Sequence, residues 1–420
     1  MPVPRLFRLQ KRISDKKKLG IYVHIPFCRS KCQYCDFYSL GGSQKELSDL
    51  YLHALPAHIR EFGARATEYA VDTVYFGGGT PSFFGADALV RIFNELQRRF
   101  DVQTDAEVTF EANPDSASPV LLQKLHSEGF NRMSLGVQND NDELLKKLGR
   151  PHNYEQAVQS VKNARKAGFD NISLDLIYGL PGQTFEQWKA TLDHVLELEP
   201  EHMSCYGLKV EEGTPLWEYR DCCNLPDEDD QADMYLYACD RLAEAGFRQY
   251  EISNFAKPGF ESRHNLKYWL GEEYLGFGPS AASDFAGKRF TVRADLMDYI
   301  EGVLKGGAVL SECEDIPSRD RAGEYLMLRL RTVQGIDSEE YTRRFLLPFR
   351  PIGKLLDRFR EMGFVRQDDT HYHLTPKGML ISNKILAELM LAQEKSEPLA
   401  KKKRGFDKAA AYGYNNLYNF

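Results

Sequence analysis

"YVHIPFCRSKCQYCDFYSL", Tyr22–Leu40, starts as a β-strand pattern and runs straight into three cysteines, Cys28, Cys32 and Cys35. Their spacing is C-x3-C-x2-C, with no fourth cysteine close behind and no second pair at the distance a structural zinc site needs. His24 is on hand as a fourth ligand, but four positions before Cys28 on a strand it reads more easily as a satisfied, half-buried histidine. A 4Fe-4S cluster fits three thiolates better, because one iron then stays open to bind something else. The other five cysteines are scattered through the chain, so no disulfide framework is expected and a reducing compartment fits.

Outward from this stretch, short β-rich runs recur at "IYVHI" (21–25), "VDTVYF" (71–76), "AEVTFE" (106–111), "RMSLGVQ" (132–138), "NISLDLI" (171–177) and "MSCYGL" (203–208). Helical patterns follow them, for example at 88–100, 119–130 and 185–199, with apolar residues every three or four positions. Six strand-then-helix units imply an α/β fold with a parallel sheet covered by helices, either an open doubly wound sheet or a partial barrel. Polar residues interrupt these apolar strands near their carboxyl ends. "GGGTPS" (77–82) follows the second run, Glu111 ends the third, Gln138 ends the fourth and Asp175 lies in the fifth. Ligand sites of parallel α/β folds lie at that end. The glycine-rich turn lacks the Lys-Ser/Thr of a phosphate loop, so its glycines read as room for close backbone approach to a ligand.

Composition sets outer bounds. The chain has 420 residues, 42% hydrophobic and 27% charged, enough for a full core with one large domain and a smaller one. A net charge of −7 gives no general case for nucleic-acid binding. No apolar run is long enough to span a membrane, and residues 1–19, though basic, lack the apolar stretch of a secretory signal, so a cytoplasmic protein is expected. After residue 245 the rhythm changes. Residues 20–245 are read as the parallel domain, 246–393 as a smaller, mainly helical one and 394–420, with "KKKR" at 401–404, as a disordered tail. The helix–hairpin–helix pattern near 350–390 reads as winged-helix-like, and the acidic chain favours a structural role for it over DNA binding.

"CRSKCQYC" resembles the signature of the radical S-adenosylmethionine (SAM) family, and the resemblance implies a partial (β/α)6 barrel. In that family the open iron chelates the amino and carboxylate groups of SAM. "YVHIPFC", "GGGTPS", "EANPD", "GFNRMSLGVQ", "DLIYGLPGQT" and "EEGTPL" narrow the likeness to the branch of oxygen-independent coproporphyrinogen III oxidase and its haem-chaperone relatives, over residues 20 to 390. By this resemblance Cys28, Cys32 and Cys35 hold the cluster, Tyr22 lies beside SAM, and Tyr34 contacts its adenosine region. Gly78, Gly79, Thr80, Glu111, Gln138, Arg150 and Asp175 also bind SAM.

Two features favour the chaperone side of the branch. Phe37 stands where the oxidase resembles C-x3-C-x2-C-x-C, with a further cysteine. "SRHNLKYW" (262–269) resembles the HNxxYW segment of the chaperone relatives, which makes His264 the candidate haem-iron ligand and Arg263 and Lys267 candidate partners of the propionates. Where relatives more often carry another histidine, near Ala282, none occurs. The resemblance thus implies haem as cargo, handed to acceptor proteins that can include membrane-associated ones, with radical chemistry on a tetrapyrrole as the alternative. From the residues alone, a buried histidine in an aromatic cluster is the preferred description of His264.

Overall fold

The computed structural model describes residues 16–307 and 309–399; the basic run at 401–404 and most of the basic amino-terminal extension lie outside the described residues. Six strands form its centre: β1 (Lys17–Ile25), β2 (Tyr69–Gly78), β3 (Val102–Ala112), β4 (Arg132–Gln138), β5 (Ile172–Tyr178) and β6 (His202–Gly207). They pair in that order, all parallel, with a helix after each. This is the expected partial (β/α)6 barrel.

Its amphipathicity is unusual for a parallel sheet, whose strands are commonly apolar on both faces. One set of alternate residues packs under the helices: Val74 and Phe76, Val108 and Phe110, Met133 and Leu135, Leu174 and Leu176, all buried in one core. The other set is polar: Thr73 on β2; Glu107, Thr109 and Glu111 on β3; Arg132, Ser134 and Gln138 on β4; Ser173 and Asp175 on β5; His202 and Ser204 on β6. Strand residues two apart share a face, so these side chains converge inside the barrel. Local signals start the covering helices. Asn153 and Thr184 form capping boxes for Tyr154–Ala167 and Phe185–Leu196, while Ser118 caps Pro119–Ser127 with proline at the first position. Trp188 is fully buried and donates its indole N–H to Met234 O at 2.8 Å, tying Phe185–Leu196 to Glu228–Glu244.

The sheet does not stop at residue 245, where the sequence rhythm changes. Beyond β1 it continues through Tyr274–Phe277, parallel to β1, and then antiparallel through Ala282–Phe285, Lys288–Val292 and Leu310–Asp315. Beyond β6 it gains Asn254–Ala256 and Arg248–Gln249, both antiparallel to their neighbours. The remainder, from Ser318, is helical with a three-stranded sheet of Ile336–Asp337, His371–Leu374 and Val365–Asp368, a winged-helix-like arrangement. Bidentate ion pairs of Arg289 with Glu324 and of Arg321 with Asp284 fasten this unit to the extended sheet. Among the described residues no helix is long and apolar enough to cross a membrane.

Candidate functional site

The cysteine loop leaves β1 through the short strand Phe27–Cys28, which pairs with Leu40–Gly41 and so closes residues 29–39 into a loop over the carboxyl end of the sheet. Its backbone is stitched at both ends of the chain order: Gln33 N–H donates to Leu148 O at 3.0 Å, and Gln33 O accepts from Leu216 N–H at 2.8 Å. Arg29 pairs with the buried Asp115 of the "EANPD" turn at 3.0 Å. His24 sits beneath the loop, with Nε2 at 2.9 Å from Tyr38 O and Nδ1 at 3.0 Å from the Tyr22 hydroxyl, as a satisfied histidine rather than a fourth ligand.

All three cysteines line one cavity of about 490 Å³. Thr80 donates its hydroxyl to Cys28 Sγ at 3.4 Å, and Arg150 Nη1 lies 3.5 Å from Cys32 Sγ. Burial pushes the Cys28 and Cys35 thiols above the ordinary range, so binding a cationic centre is what would favour their thiolates. Among the described residues no three metal-binding side chains close on a point as they would around a single ion. Phe37, 65% exposed, lines the same cavity and offers no thiol.

The same cavity gathers Tyr34, Gly78, Gly79, Thr80, Glu111, Gln138, Arg150 and Asp175. Glu111 accepts from the Tyr75 hydroxyl at 2.9 Å and from Gly78 N–H at 3.1 Å, yet burial raises its carboxyl to about 7 against those hydrogen bonds. Asp175 accepts from Ser134 at 2.8 Å and Ser173 at 3.1 Å. Arg150 is not the surface arginine its loop position allows; Nη2 donates to Asn113 Oδ1 at 2.6 Å and Gly136 O at 2.9 Å. Gln138 holds φ of 67°, a left-handed backbone rare for a residue with a side chain, and its buried Oε1 has no partner. The glycines are explained by packing. A Cβ on Gly78, φ 108°, would lie 2.6 Å from the His24 ring, and one on Gly79 would lie 2.7 Å from Phe27 O.

Tyr22 and His264 do not line this cavity. Tyr22 is stacked behind Tyr75, with ring centroids 6.2 Å apart. His264 lies in the helix Arg263–Leu270, 1% exposed, with Nδ1 at 2.9 Å from Thr73 Oγ1 and Nε2 at 2.8 Å from the Tyr268 hydroxyl. Burial and the Lys267 charge lower its pKa to about 3. Both nitrogens are engaged within an aromatic cluster, away from solvent and from the main cavity. Lys267 is likewise committed, to Asp72 at 2.8 Å and Glu272 at 2.9 Å, and unavailable to a propionate. The outer side of the segment is open. Tyr268 and Trp269 line a second cavity of about 300 Å³ against the carboxy-terminal unit, with Arg289, Arg321 and Arg329 on its wall.

Sequence reasoning missed several residues of the main cavity: Arg132, Ser134, Asn113, Ser204, Lys209 and, from the HNxxYW segment itself, Asn265. For those on strands the signal was available, since Arg132, Ser134, Gln138 and Ser204 share the alternate face of residues already chosen.

Comparison with known proteins agrees with this geometry. Residues 22–195 match the Radical SAM superfamily and residues 316–381 the HemN C-terminal domain. The chain is 36% identical to the "Heme chaperone HemW" of Lactococcus lactis over 90% of this chain and 98% of that one. It belongs to the HemW family of radical SAM proteins. The Escherichia coli HemW is 33% identical over 89% of this chain and 98% of its own length. Among solved structures, the radical SAM enzyme coproporphyrinogen III oxidase (HemN) of Escherichia coli superposes with a TM-score of 0.79 at 25% identity, covering 94% of each chain. HemW-family membership thus accounts for the barrel, the cysteine loop and the carboxy-terminal unit together.

Proposed function

We propose that this HemW-family protein is a cytoplasmic haem chaperone that carries a 4Fe-4S cluster on Cys28, Cys32 and Cys35, binds SAM at the adjoining residues, and passes haem to acceptor proteins. The observation that carries the first part is the convergence of three thiols and eight expected SAM-binding residues on one cavity. Bound there, the cluster supplies an electron that can cleave the sulfonium of SAM. The chain's own residues do the holding. Arg150 and Thr80 place positive charge and a hydroxyl donor on two of the thiols, Glu111 and Asp175 offer fixed acceptors, and Tyr22 buttresses Tyr75, which orients Glu111.

The haem part rests on the family relationship and on the Tyr268–Trp269 cavity, which offers flat aromatic surface. That cavity replaces the His264 ring as the proposed meeting point with the porphyrin. In domain terms we assign residues 20–245 to the cluster and SAM and 246–393 to haem. Radical chemistry on a tetrapyrrole remains the second reading, favoured by the intact SAM constellation.

The deciding experiment is anaerobic reconstitution of the full chain, followed by iron analysis, haem titration and transfer to an apo haem protein. Trp269→Ala should lower haem affinity about tenfold without changing iron content or SAM binding. Failure of the parent protein to bind haem overturns the chaperone reading.

A further inference from the structure

Arg132 opens β4 on its inner face, is 1% exposed, and lines the main cavity. Among the described residues its side chain forms no hydrogen bond and no ion pair, and its Nε is wholly buried without a partner. A buried guanidinium without a hydrogen-bonded partner is strongly destabilising, so natural proteins keep one only where something completes it. The nearby carboxylates are engaged elsewhere. Glu107 accepts the N–H groups of Arg263 and His264, each at 3.0 Å; Glu111 accepts Tyr75 and Gly78; Asp175 accepts two serines; Glu251 accepts Ser253 N–H at 3.2 Å and the Asn254 amide.

Two further polar groups at the same level also lack partners. Thr109, opposite Arg132 in the β3–β4 register, has a buried hydroxyl with no hydrogen bond. Asn265 lines the same cavity from the helix that closes the barrel floor, and its side chain makes no hydrogen bond among the described residues. Arg132 is near that helix: it pairs in register with Thr109, two residues from Glu107, which accepts the Arg263 and His264 N–H groups.

The position separates this group from the SAM-binding end. Arg132 begins β4 four residues before Gly136, whose carbonyl accepts from Arg150, so roughly 13 Å of strand divides its backbone from the level of Arg150 and the cysteines. In register Arg132 lies opposite Thr109, one inward-facing position below Glu111. Glu107 and Asp175 already place negative charge nearby, which disfavours a phosphate dianion and leaves a monoanion matched to one guanidinium fork.

We propose that Arg132, with Asn265 on the same floor, recognises the carboxylate of a second ligand that occupies the barrel interior beneath SAM. This goes beyond the chaperone reading and does not depend on it. The carboxylate belongs either to a small carboxylic acid held inside the barrel or to the carboxylate arm of a tetrapyrrole reaching into it.

The test uses the full chain, anaerobically reconstituted and saturated with SAM. Thermal stability is titrated with sodium propionate against sodium chloride at equal ionic strength, and haem affinity is measured in parallel, for the parent, Arg132→Gln, Arg132→Lys and Asn265→Ala. The parent should show saturable stabilisation by propionate. Half-saturation should rise at least tenfold in Arg132→Gln, recover partly in Arg132→Lys and rise several-fold in Asn265→Ala, with iron content unchanged. A parallel tenfold loss of haem affinity in Arg132→Gln identifies the tetrapyrrole arm, whereas unchanged haem affinity with the propionate response lost identifies a small acid. Equal propionate and haem responses in parent and Arg132→Gln, or a loss confined to SAM affinity, overturn the proposal. Should Arg132→Gln not fold, unaltered responses to both probes in Arg132→Lys and Asn265→Ala overturn it equally. If the parent binds no haem, the chaperone reading fails and the propionate titration alone decides this one, a parent without a propionate response overturning it.

Discussion

Glu111→Gln offers a quantitative check on the electrostatics of the cavity. In the unfolded chain this carboxyl titrates near its ordinary value of 4.5, and in the fold it is raised to about 7, first by burial and also by the nearby Asp175. The raised value means that folding is favoured by the protonated form: the contribution is fully present below pH 4.5 and is lost as pH climbs through 7. The difference of 2.5 units, 7 minus 4.5, corresponds to about 3 kcal/mol at pH 8. Glutamine has the same shape and no charge. Its oxygen can accept from Gly78 N–H, and its amide can donate to the Tyr75 hydroxyl, which turns from donor to acceptor. Glu111→Gln should therefore be more stable than the parent by up to about 3 kcal/mol at pH 8, and by less than about 1 kcal/mol at pH 5. Urea unfolding of both proteins across this range, before SAM is added, measures the gap, and histidine titrations cancel because both chains share them. SAM affinity should fall in the same variant, because a fixed acceptor has become partly a donor. A stability gap that does not widen between pH 5 and pH 8 would refute the assignment of Glu111 as a desolvated acid.

Three other outcomes are expected. Alanine at Cys28, Cys32 or Cys35 should abolish binding of about four irons per chain, while alanine at Cys205, Cys222, Cys223, Cys239 or Cys313 should not, as iron analysis of anaerobic protein will show. Reduced protein with SAM should give no protoporphyrinogen from coproporphyrinogen by chromatography, since Phe37 stands in place of the oxidase cysteine; multiple turnovers would favour the enzyme reading. His264→Ala should cost about 2–4 kcal/mol of stability, through a cavity and two lost buried hydrogen bonds, yet leave the optical spectrum of bound haem unchanged.

The parts legible in the sequence are those governed by local rules. All six central strands lie where β-rich runs predict them, because period-two burial and capping residues act within a few positions. The cavity residues chosen at strand ends, together with Arg150 beside them, also come together, since parallel strands in register bring their carboxyl ends to one face. What escaped reading depends on distant partners. Nothing local in "YLGF" says that it will pair with β1 more than 250 residues earlier. Which member of "HN" faces the cavity is also not local: adjacent helical residues point about 100° apart, so His264 turns to Thr73 and Tyr268 while Asn265 lines the cavity. Arg132 was passed over inside a motif quoted for its resemblance, although its alternation with Ser134 and Gln138 already placed it on the inner face.

The two backbone bonds of Gln33 impose an order on the birth of the protein. A chain emerging from the ribosome amino end first delivers the three cysteines early, but the loops that anchor them arrive with Leu148 and Leu216. The strand that completes the other side of β1 arrives later still, with Tyr274–Phe277. Until then the thiols sit on an unfinished surface, open to oxidation and to stray metal ions. Insertion of the proposed cluster therefore belongs to the end of synthesis, and nascent chains stalled before residue 277 should be the form most readily damaged by oxygen.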